Sequence, residues 1–329
     1  MKVLITGGSG YIGSILVSEL KEDKRIEKIY VIDIKNPKFL WKPNEKIKFI
    51  NKNLVENWEE EIQENIDVIV HCAFHLRRPF WPWQLKKHLF ENYFGFEKVL
   101  EFANKNNTKK IIVLSSIAVY GANKENDLTK PFKEDDELKE KIYLYGIEKI
   151  KMEEQAKKFS LKSKTKIIIL RLASVTGPFA QNIYKKGGLL KFLKNISPFI
   201  FLTNEKSLRQ YVHEDDVVEA IKFFVFNDLN ENLEIFNIAP PTFIYFKDIA
   251  KILKKKTIFI PYGLAKFLFK LFWYISFGKI PTSPGSINSY TFPIFVDGSK
   301  IKNLGFEYKY NSLDAFLANK GKYLFTPKS

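Results

Sequence analysis

The chain has 329 residues, 45% of them hydrophobic, which excludes a disordered chain and allows one large α/β unit with a smaller subdomain. Its formal net charge at pH 7 is +16, yet only five of its 53 basic residues are Arg. Lys lacks the planar fork with which Arg reads and stacks on bases, so we expect no nucleic-acid partner.

The N-terminal segment combines a short apolar run, Val3–Ile5, with a glycine-rich turn and an amphipathic stretch. Gly7 permits a tight turn from strand to helix, Gly10 lets the backbone approach a pyrophosphate, and Gly13 lets the helix pack on the strand. This order predicts a dinucleotide site at the helix N-terminus. The predicted cofactor contacts in this turn are Gly7, Gly10, Tyr11, Ile12 and Gly13.

A second strand-like run ends at Asp33, twenty residues after Gly13. A carboxylate at this position can accept hydrogen bonds from the adenosine ribose hydroxyls. It would repel a ribose 2′-phosphate, for which the sequence offers only Lys35 as a nearby cation. The pattern therefore favours NAD over NADP.

Apolar runs that read as strands alternate with stretches of helical patterning through the first half of the chain. This alternation predicts a doubly wound parallel sheet of the Rossmann type, whose ligands bind at the carboxyl ends of the strands. The predicted helices are Ile12–Leu20, Lys86–Asn104 and Lys149–Phe159. The predicted strands are Val3–Ile5, Ile29–Ile32, Ile47–Ile50, Val68–Val70, Ile111–Leu114 and Ile167–Leu170.

Beyond Gly177 the pattern loosens, and prolines separate shorter elements. We expect residues 1–176 to form the NAD-binding domain, which also carries the catalytic residues. Residues 177–329 are predicted to form mainly a smaller, C-terminal substrate-binding subdomain.

One strongly apolar helical pattern in the second half runs from Leu264 to Phe277 and is too short and too charged to span a bilayer. One interpretation is a helix packed within the subdomain or at a dimer interface. The alternative is a helix that lies on a membrane surface or docks a lipid-like substrate, and its Phe and Trp content keeps that alternative open.

Candidate acid/base chemistry lies between the fifth and sixth predicted strands, where Tyr145 and Lys149 share one helix face. A Tyr phenol can move a proton to or from a substrate oxygen when a nearby cation stabilises the phenolate. Ser116, at the end of the fifth strand, can hydrogen-bond the same oxygen. A Ser-Ser pair also occurs in ordinary turns, which is the alternative for Ser115 and Ser116.

Taken together, these residues resemble the extended short-chain dehydrogenase/reductase superfamily, in particular its NAD-dependent epimerase/dehydratase branch. The resemblance covers nearly the whole chain, and its motifs are specific for the superfamily. The matching residues are Thr6–Gly13, Asp33, His71–Ala73, Asn92–Gly95, Ser115-Ser116, Tyr120-Gly121, Tyr145-Gly146, Lys149, Arg171, Gly177-Pro178, Arg209–His213, Asp215-Asp216, Val296-Asp297, Lys300 and Leu304–Phe306.

The resemblance implies that Tyr145 is the general acid/base, that Lys149 binds the nicotinamide ribose and lowers the pKa of Tyr145, and that Ser116 completes the catalytic set. It implies NAD as cofactor, a nucleotide sugar as substrate and a homodimer built from the helices around Lys86–Asn104 and Lys149–Phe159. Arg209 occupies the position at which relatives bind a nucleotide-sugar diphosphate. The further cofactor contacts implied are Asn53, Leu54, Ala73, Asn92 and Ala173.

Several positions depart from the family pattern. Asn53 replaces an Asp, and Ser174 and Thr176 replace a frequent Asn and Tyr of sugar-nucleotide enzymes. Ile117 and Ala118 stand where dehydratases carry Asp and Glu, so dehydration is disfavoured.

The segment from Phe74 to Trp83 departs most. Within it, Arg77 is a candidate substrate-binding residue, because Arg77 and Arg78 can hold an anionic substrate or the cofactor phosphates. The alternative is a surface loop in which their guanidinium groups stack on Trp81 or Trp83.

The single cysteine, Cys72, excludes an intramolecular disulfide. The first residues read as a strand and not as a signal peptide, so we expect a cytoplasmic location. The four histidines do not cluster with Cys72 or with carboxylates at metal-ligand spacing, and we expect no metal.

Three functional readings remain open from sequence. The first is an NAD-dependent epimerase that acts on a nucleotide sugar by Tyr-assisted hydride transfer through a keto intermediate. The second is a dehydrogenase or reductase of a hydrophobic, lipid- or steroid-like alcohol or ketone. The third is a regulatory NAD-binding protein without catalysis, which the intact Ser116, Tyr145 and Lys149 disfavour.

Overall fold

The structure is a computed structural model and describes residues 1–183 and 192–324. Its centre is a seven-stranded parallel sheet with the order β11-β6-β5-β4-β1-β2-β3, which confirms the predicted Rossmann-type α/β fold. The six predicted strands all lie in this sheet. Its strands in chain order are β1 Lys2–Thr6, β2 Lys28–Ile32, β3 Ile47–Ile50, β4 Val68–His71, β5 Lys110–Ser116, β6 Lys166–Leu172 and β11 Leu233–Ile238.

The sheet is buried on both faces, because successive residues of a strand point in opposite directions. Val3 and Ile5 of β1 pack into one apolar cluster and Leu4 into the other. Helices α1 and α4 cover the first face, and helices α2 and α3 cover the second. These helices are α1 Tyr11–Lys21, α2 Pro82–Lys105, α3 Leu144–Ser160 and α4 Glu214–Phe226.

The strand order reverses between β1 and β4, and ligands of open α/β sheets bind at such a switch point. Thr6, the last residue of β1, is in register with Ile32 of β2 and with His71 of β4. The segments that follow these three strands therefore leave the sheet side by side. They begin with Gly7, Asp33 and Cys72.

The seventh strand, β11, was not among the predicted strands and lies far beyond residue 176. It pairs in parallel with β6 over its whole length, from Leu233 opposite Ile167 to Ile238 opposite Leu172. The preceding helix α4 packs against α1. Residues 214–238 therefore belong to the Rossmann unit, although they lie beyond the predicted boundary between residues 176 and 177.

The rest of the second half gathers around a separate apolar cluster that includes Ile200, Phe246, Ile249, Tyr290 and Phe316. Short strands pair here as β7 with β10, β9 with β12 and β8 with β13. The strands are β7 Ser174–Thr176, β8 Phe199–Leu202, β9 Leu208–Arg209, β10 Tyr211–His213, β12 Ile244–Tyr245 and β13 Lys256–Phe259. The helices are α5 Phe246–Ile252, α6 Tyr262–Ile275, α7 Ser286–Thr291, α8 Ser299–Lys302 and α9 Ser312–Leu317.

Helix α6 corresponds to the apolar pattern predicted over residues 264–277. Of its residues only Ala265 and Trp273 are buried, and its other large apolar side chains are exposed or half-buried. Within the described part of the chain, no helix is long and apolar enough to cross a membrane.

Candidate active site

A cleft of about 1430 Å³ lies at the carboxyl ends of the sheet strands and is also lined by residues of the second half of the chain. Its lining includes the glycine turn and Asp33 as well as Ser116, Tyr145 and Lys149. Arg209 lines the part built by the second half of the chain. Three elements that are distant in sequence therefore share one cavity.

The glycine turn brings the N-terminus of α1 against the ends of β1 and β4. Gly7 has a φ of +70°, and a Cβ on it would lie 2.6 Å from the amide nitrogen of Ala73. A Cβ on Gly13 would lie 2.2 Å from the carbonyl oxygen of Gly7. Side chains are excluded at both positions, so backbone amides and the positive end of the helix dipole can approach a phosphate.

Asp33 is held beside this turn by two backbone amides. Its Oδ2 accepts a hydrogen bond from Ser9 N at 3.0 Å, and its Oδ1 accepts one from Lys35 N at 2.9 Å. Burial raises the pKa of this carboxyl group, while these amide donors lower it. The carboxylate is thus fixed at the cleft wall where a ribose would lie after the glycine turn.

Tyr145 and Ser116 meet in the middle of the cleft. Tyr145 is the second residue of α3, and Ser116 is the last residue of β5. Burial raises the pKa of Tyr145 to about 12, although the hydrogen-bonding side chain of Ser116 lowers it. Ser116 Oγ also accepts a hydrogen bond from Ala118 N at 3.2 Å, which fixes the hydroxyl group at the strand end.

Lys149 lies one helical turn after Tyr145, and its amine is buried. Its Nζ donates to the carbonyl oxygen of Leu114 at 2.7 Å and lies 3.7 Å from the centre of the Phe74 ring. Desolvation lowers the pKa of this amine to about 7. The Nζ is 6.0 Å from the centre of the Tyr145 ring. Burial is the largest influence on the pKa of Tyr145, and the lowering of that pKa by Lys149 stays a prediction.

Phe74 is a site residue that the sequence reasoning did not single out. Its ring packs edge-on against Tyr145, with 5.8 Å between ring centres, and faces the Lys149 ammonium group. Its position in the segment that departs most from the family pattern is the sequence feature that could have identified Phe74 as a site residue. An aromatic ring here covers Tyr145 and Lys149 from the side of β4.

Asn92 of α2 lines the cleft, but its side chain is engaged within the protein. Its Oδ1 accepts from His75 N at 2.8 Å, and its Nδ2 donates to Glu148 Oε1 at 2.9 Å. Glu148 also contacts His88 Nε2 at 3.0 Å. This buried network fixes the segment after β4 against α2 and α3, so Asn92 positions that wall of the cleft.

The other predicted cofactor contacts line the cleft as well: Asn53, Leu54, Ala73 and Ala173. Asn53 is oriented by its Nδ2, which donates to Glu91 Oε1 at 2.9 Å. Ala173 directly follows β6 and donates its amide hydrogen to the carbonyl oxygen of Ile238 at 3.1 Å. The seventh strand thereby helps to place this part of the wall.

Arg209 and Arg77, the two Arg residues predicted to bind substrate, differ in their surroundings. Arg209 lines the cleft, and its Nη2 donates to the carbonyl oxygen of Ser289 at 2.8 Å. Burial raises the pKa of Tyr143, a neighbour in the cleft wall, and the charge of Arg209 lowers it. Arg77 lies outside the lining and donates to the carbonyl oxygens of Gly278 and Lys279. Its guanidinium group joins the segment after β4 to the segment after α6 and neither faces the cleft nor stacks on a Trp ring.

Glu214 is a second residue that the sequence reasoning passed over. Its Oε2 accepts a hydrogen bond from the Tyr11 hydroxyl group at 2.6 Å, and its Oε1 accepts from Phe179 N at 2.6 Å. Burial raises the pKa of this carboxyl group to about 7. Because Tyr11 is the first residue of α1, Glu214 fixes the cleft wall beside the glycine turn from the second half of the chain.

The sequence model of the NAD dependent epimerase/dehydratase family matches residues 3–239. A dTDP-4-dehydro-6-deoxyglucose reductase from Escherichia coli is 28% identical over 267 residues, which are 77% of this chain and 81% of that protein. An ADP-L-glycero-D-manno-heptose-6-epimerase from Fusobacterium nucleatum is 27% identical over 275 residues, or 75% and 77% of the two chains. Among solved structures, a UDP-glucose 4-epimerase from Thermotoga maritima with UDP-glucose superposes with a TM-score of 0.74 and 24% identity over 97% of both chains.

Proposed function

The chain belongs to the NAD dependent epimerase/dehydratase family, and on this premise we propose that it epimerises a nucleotide sugar through a keto intermediate. Members of this family are NAD-dependent oxidoreductases and isomerases. The observation that carries the proposal is that one cleft is lined by the glycine turn, by Ser116, Tyr145 and Lys149, and by Arg209. The dTDP-sugar reductase and ADP-heptose epimerase named above support a nucleotide-sugar substrate.

The residues present suit NAD. Gly7 and Gly13 leave space that a Cβ would fill, and α1 directs its N-terminus to that space, where the pyrophosphate would bind. Asp33 would accept hydrogen bonds from the adenosine ribose and repel a 2′-phosphate. When bound, NAD supplies an acceptor for the hydride that leaves a carbinol carbon and can return it to the same carbon.

In this proposal Tyr145 takes the proton of the reacting hydroxyl group at its phenolic oxygen and gives it back when the ketone is reduced. Burial raises the pKa of this phenol to about 12, which is above the range of a base that acts at neutral pH. A charged Lys149 one turn away would lower it, because a nearby cation favours the phenolate. Ser116 donates a hydrogen bond to the same substrate oxygen and so orients it.

Arg209 is the proposed anchor for the substrate diphosphate, since a guanidinium group binds phosphate oxygens through paired donors. Ile117 and Ala118 follow Ser116 and carry no acid or base for elimination. The site therefore favours epimerisation over dehydration.

A second candidate is oxidation or reduction of a hydrophobic alcohol or ketone. The apolar character of the cleft near Arg209 favours it, because Phe201, Phe269, Phe272 and Ile287 all line this part. Such a substrate would bind mainly by burial of apolar surface.

The first experiment is to purify the protein without added cofactor, denature it, and assay the supernatant for NAD and NADH. A recycling epimerase returns its hydride and has no need to release the cofactor, so we expect stoichiometric NAD. The same preparation should interconvert C4 epimers in a panel of UDP-, dTDP- and ADP-sugars without added NAD. An empty protein that binds NAD on titration and consumes it with hydrophobic alcohols would favour the second candidate.

A further inference from the structure

The outer side of helix α6 presents an unusually apolar surface. Phe267 is 59% exposed and Ile275 is 66% exposed, although large apolar side chains are normally buried. Exposed apolar side chains at the spacing of one helix face form a continuous stripe, and the segment after the helix extends it. We call this surface the apolar face; its residues are Leu264, Phe267, Leu271, Tyr274, Ile275, Phe277 and Trp81.

The apolar face is held together by aromatic contacts between two distant parts of the chain. The Phe80 ring lies 5.9 Å from Trp273, 6.0 Å from Tyr274 and 5.6 Å from Phe277, measured between ring centres. Trp81 stacks on Phe277 at 6.1 Å. Together with Arg77, which holds the same segments, these contacts make the face one packed unit.

The sequence segments that form the apolar face carry positive charge and no carboxylate. Between residues 249 and 296 the sequence has seven Lys and no Asp or Glu. Between residues 68 and 90 it has two Arg, two Lys and again no Asp or Glu. On α6 and directly after it, Lys266, Lys270 and Lys279 are exposed. A partner that is both apolar and negatively charged would complement this face.

We propose that the apolar face binds the surface of a lipid bilayer that contains anionic lipids. A helix with exposed aromatic and aliphatic side chains and flanking Lys lies in the bilayer interface, where Trp and Tyr are also favoured. At 14 residues, α6 is about 21 Å long, so it would lie on the surface and not cross it. A second copy is disfavoured as the partner, because two such faces would oppose like charges.

Helix α6 contributes residues both to the apolar face and to the lining of the cleft. Leu268, Phe269 and Phe272 of the same helix line the cleft, while Phe267 and Ile275 face outward. A bilayer bound to the apolar face would therefore lie against the helix that walls the substrate end. Binding of the apolar face to a bilayer does not depend on which reaction the cleft performs.

The test is sedimentation of the purified protein with vesicles of phosphatidylcholine alone and of phosphatidylcholine mixed with phosphatidylglycerol. We expect binding to the mixed vesicles, weakened by salt, and about tenfold weaker binding to the neutral ones. The double variant Phe267→Ser/Ile275→Ser should lower the partition coefficient at least about tenfold, since it removes two inserting side chains. The matched control is Leu161→Ser, an exposed leucine after α3, which should bind like the unaltered protein.

Thermal unfolding of each variant checks that the exposed substitutions leave the fold intact. The double variant Lys266→Gln/Lys270→Gln should reduce binding only to the anionic vesicles. Unaltered protein that stays in the supernatant with anionic vesicles would overturn the proposal. So would a Phe267→Ser/Ile275→Ser variant that binds as well as Leu161→Ser, or one that converts a dimer to a monomer in solution, because the face would then serve a second copy.

Discussion

Tyr145 differs in its surroundings from the other tyrosines that have a Lys four residues later. Three Tyr/Lys pairs have the i, i+4 spacing, and only Tyr145 lies in the cleft beside Ser116. Burial is the largest cause of its high pKa. Our proposal for Tyr145 as a base near neutral pH therefore depends on a charged Lys149 that lowers this pKa.

Replacing Tyr145 by Phe should lower turnover by about 10²–10⁴-fold, because the phenol is the only proposed group that moves the substrate proton. The affinity for NAD, measured by titration, should stay within about threefold, since the hydroxyl group acts on the substrate. Tyr262→Phe is the control, because Tyr262 has the same spacing to Lys266 but lies outside the cleft lining. Full turnover by Tyr145→Phe would refute the catalytic assignment.

Asp33 is expected to decide between NAD and NADP. Asp33→Ala should weaken NAD binding and reduce discrimination against NADP, because it removes both the ribose acceptor and the charge that repels a 2′-phosphate. The measurement is the ratio of the two dissociation constants. Asp23→Ala removes a carboxylate paired with Arg25 and should leave the ratio unchanged. An unaltered ratio in Asp33→Ala would mean that another group selects the cofactor.

Glu214 makes a pH-dependent contribution to stability. Burial raises its pKa from the ordinary 4.5 to about 7, so between these pH values the folded protein binds a proton that the unfolded chain has released. Raising the pH from 4.5 to 7 should therefore lower the free energy of unfolding, by roughly 3 kcal/mol from this group. In the Glu214→Gln variant, the free energy of unfolding measured by denaturant titration should not show this decrease between pH 4.5 and 7. Glu231→Gln, at an exposed position, should keep it, and an unchanged profile in Glu214→Gln would contradict the assignment.

Among the elements, α2 and α3 pack against each other on one face of the sheet. Phe90 and Phe94 of α2 are exposed and stack on each other with ring centres 5.1 Å apart. This pair supports the homodimer that we propose through these helices, because burial of two aromatic pairs across a twofold axis would stabilise it.

The variant Phe90→Ser/Phe94→Ser should therefore shift the protein from dimer to monomer in sedimentation velocity. Phe267→Ser/Ile275→Ser is the control, since it alters an apolar surface of similar exposure on α6 and should leave the dimer intact. A monomeric unaltered protein at micromolar concentration would contradict the prediction.

In the whole molecule, part of the second half of the chain packs into the Rossmann unit. Helix α4 and strand β11 come from the second half of the sequence yet complete the layers of the first. Val217, Ile221 and Phe224 of α4 are fully buried in the cluster that includes α1. The two halves are therefore not separable units.

A fragment of residues 1–176 should fail to unfold cooperatively, because it lacks α4 and β11. The three buried side chains of α4 alone account for about 5–9 kcal/mol of apolar burial, comparable to the whole stability of a domain. Thermal unfolding followed by circular dichroism is the measurement, with the full chain as reference. A sigmoidal transition for the fragment would show that the first half folds alone.

Local sequence patterns were enough to predict the features that depend on neighbouring residues. The glycine turn, Asp33 after β2, the six first strands and the helix of Tyr145 and Lys149 follow from local periodicity and backbone requirements, which are readable over short stretches. The family resemblance rests on the same local motifs, and the match over residues 3–239 confirms it.

Features that depend on residues far apart in the sequence became visible only in the folded chain. Glu214 reaches Tyr11 across 203 positions, and Arg77 reaches Gly278 across 201. The apolar residues of α6 are exposed although their pattern equally suits a packed helix. Whether a side chain is buried, and whether its charge is neutralised, depends on the residues that the fold packs against it. A local sequence pattern does not contain this information, because those residues are distant in sequence.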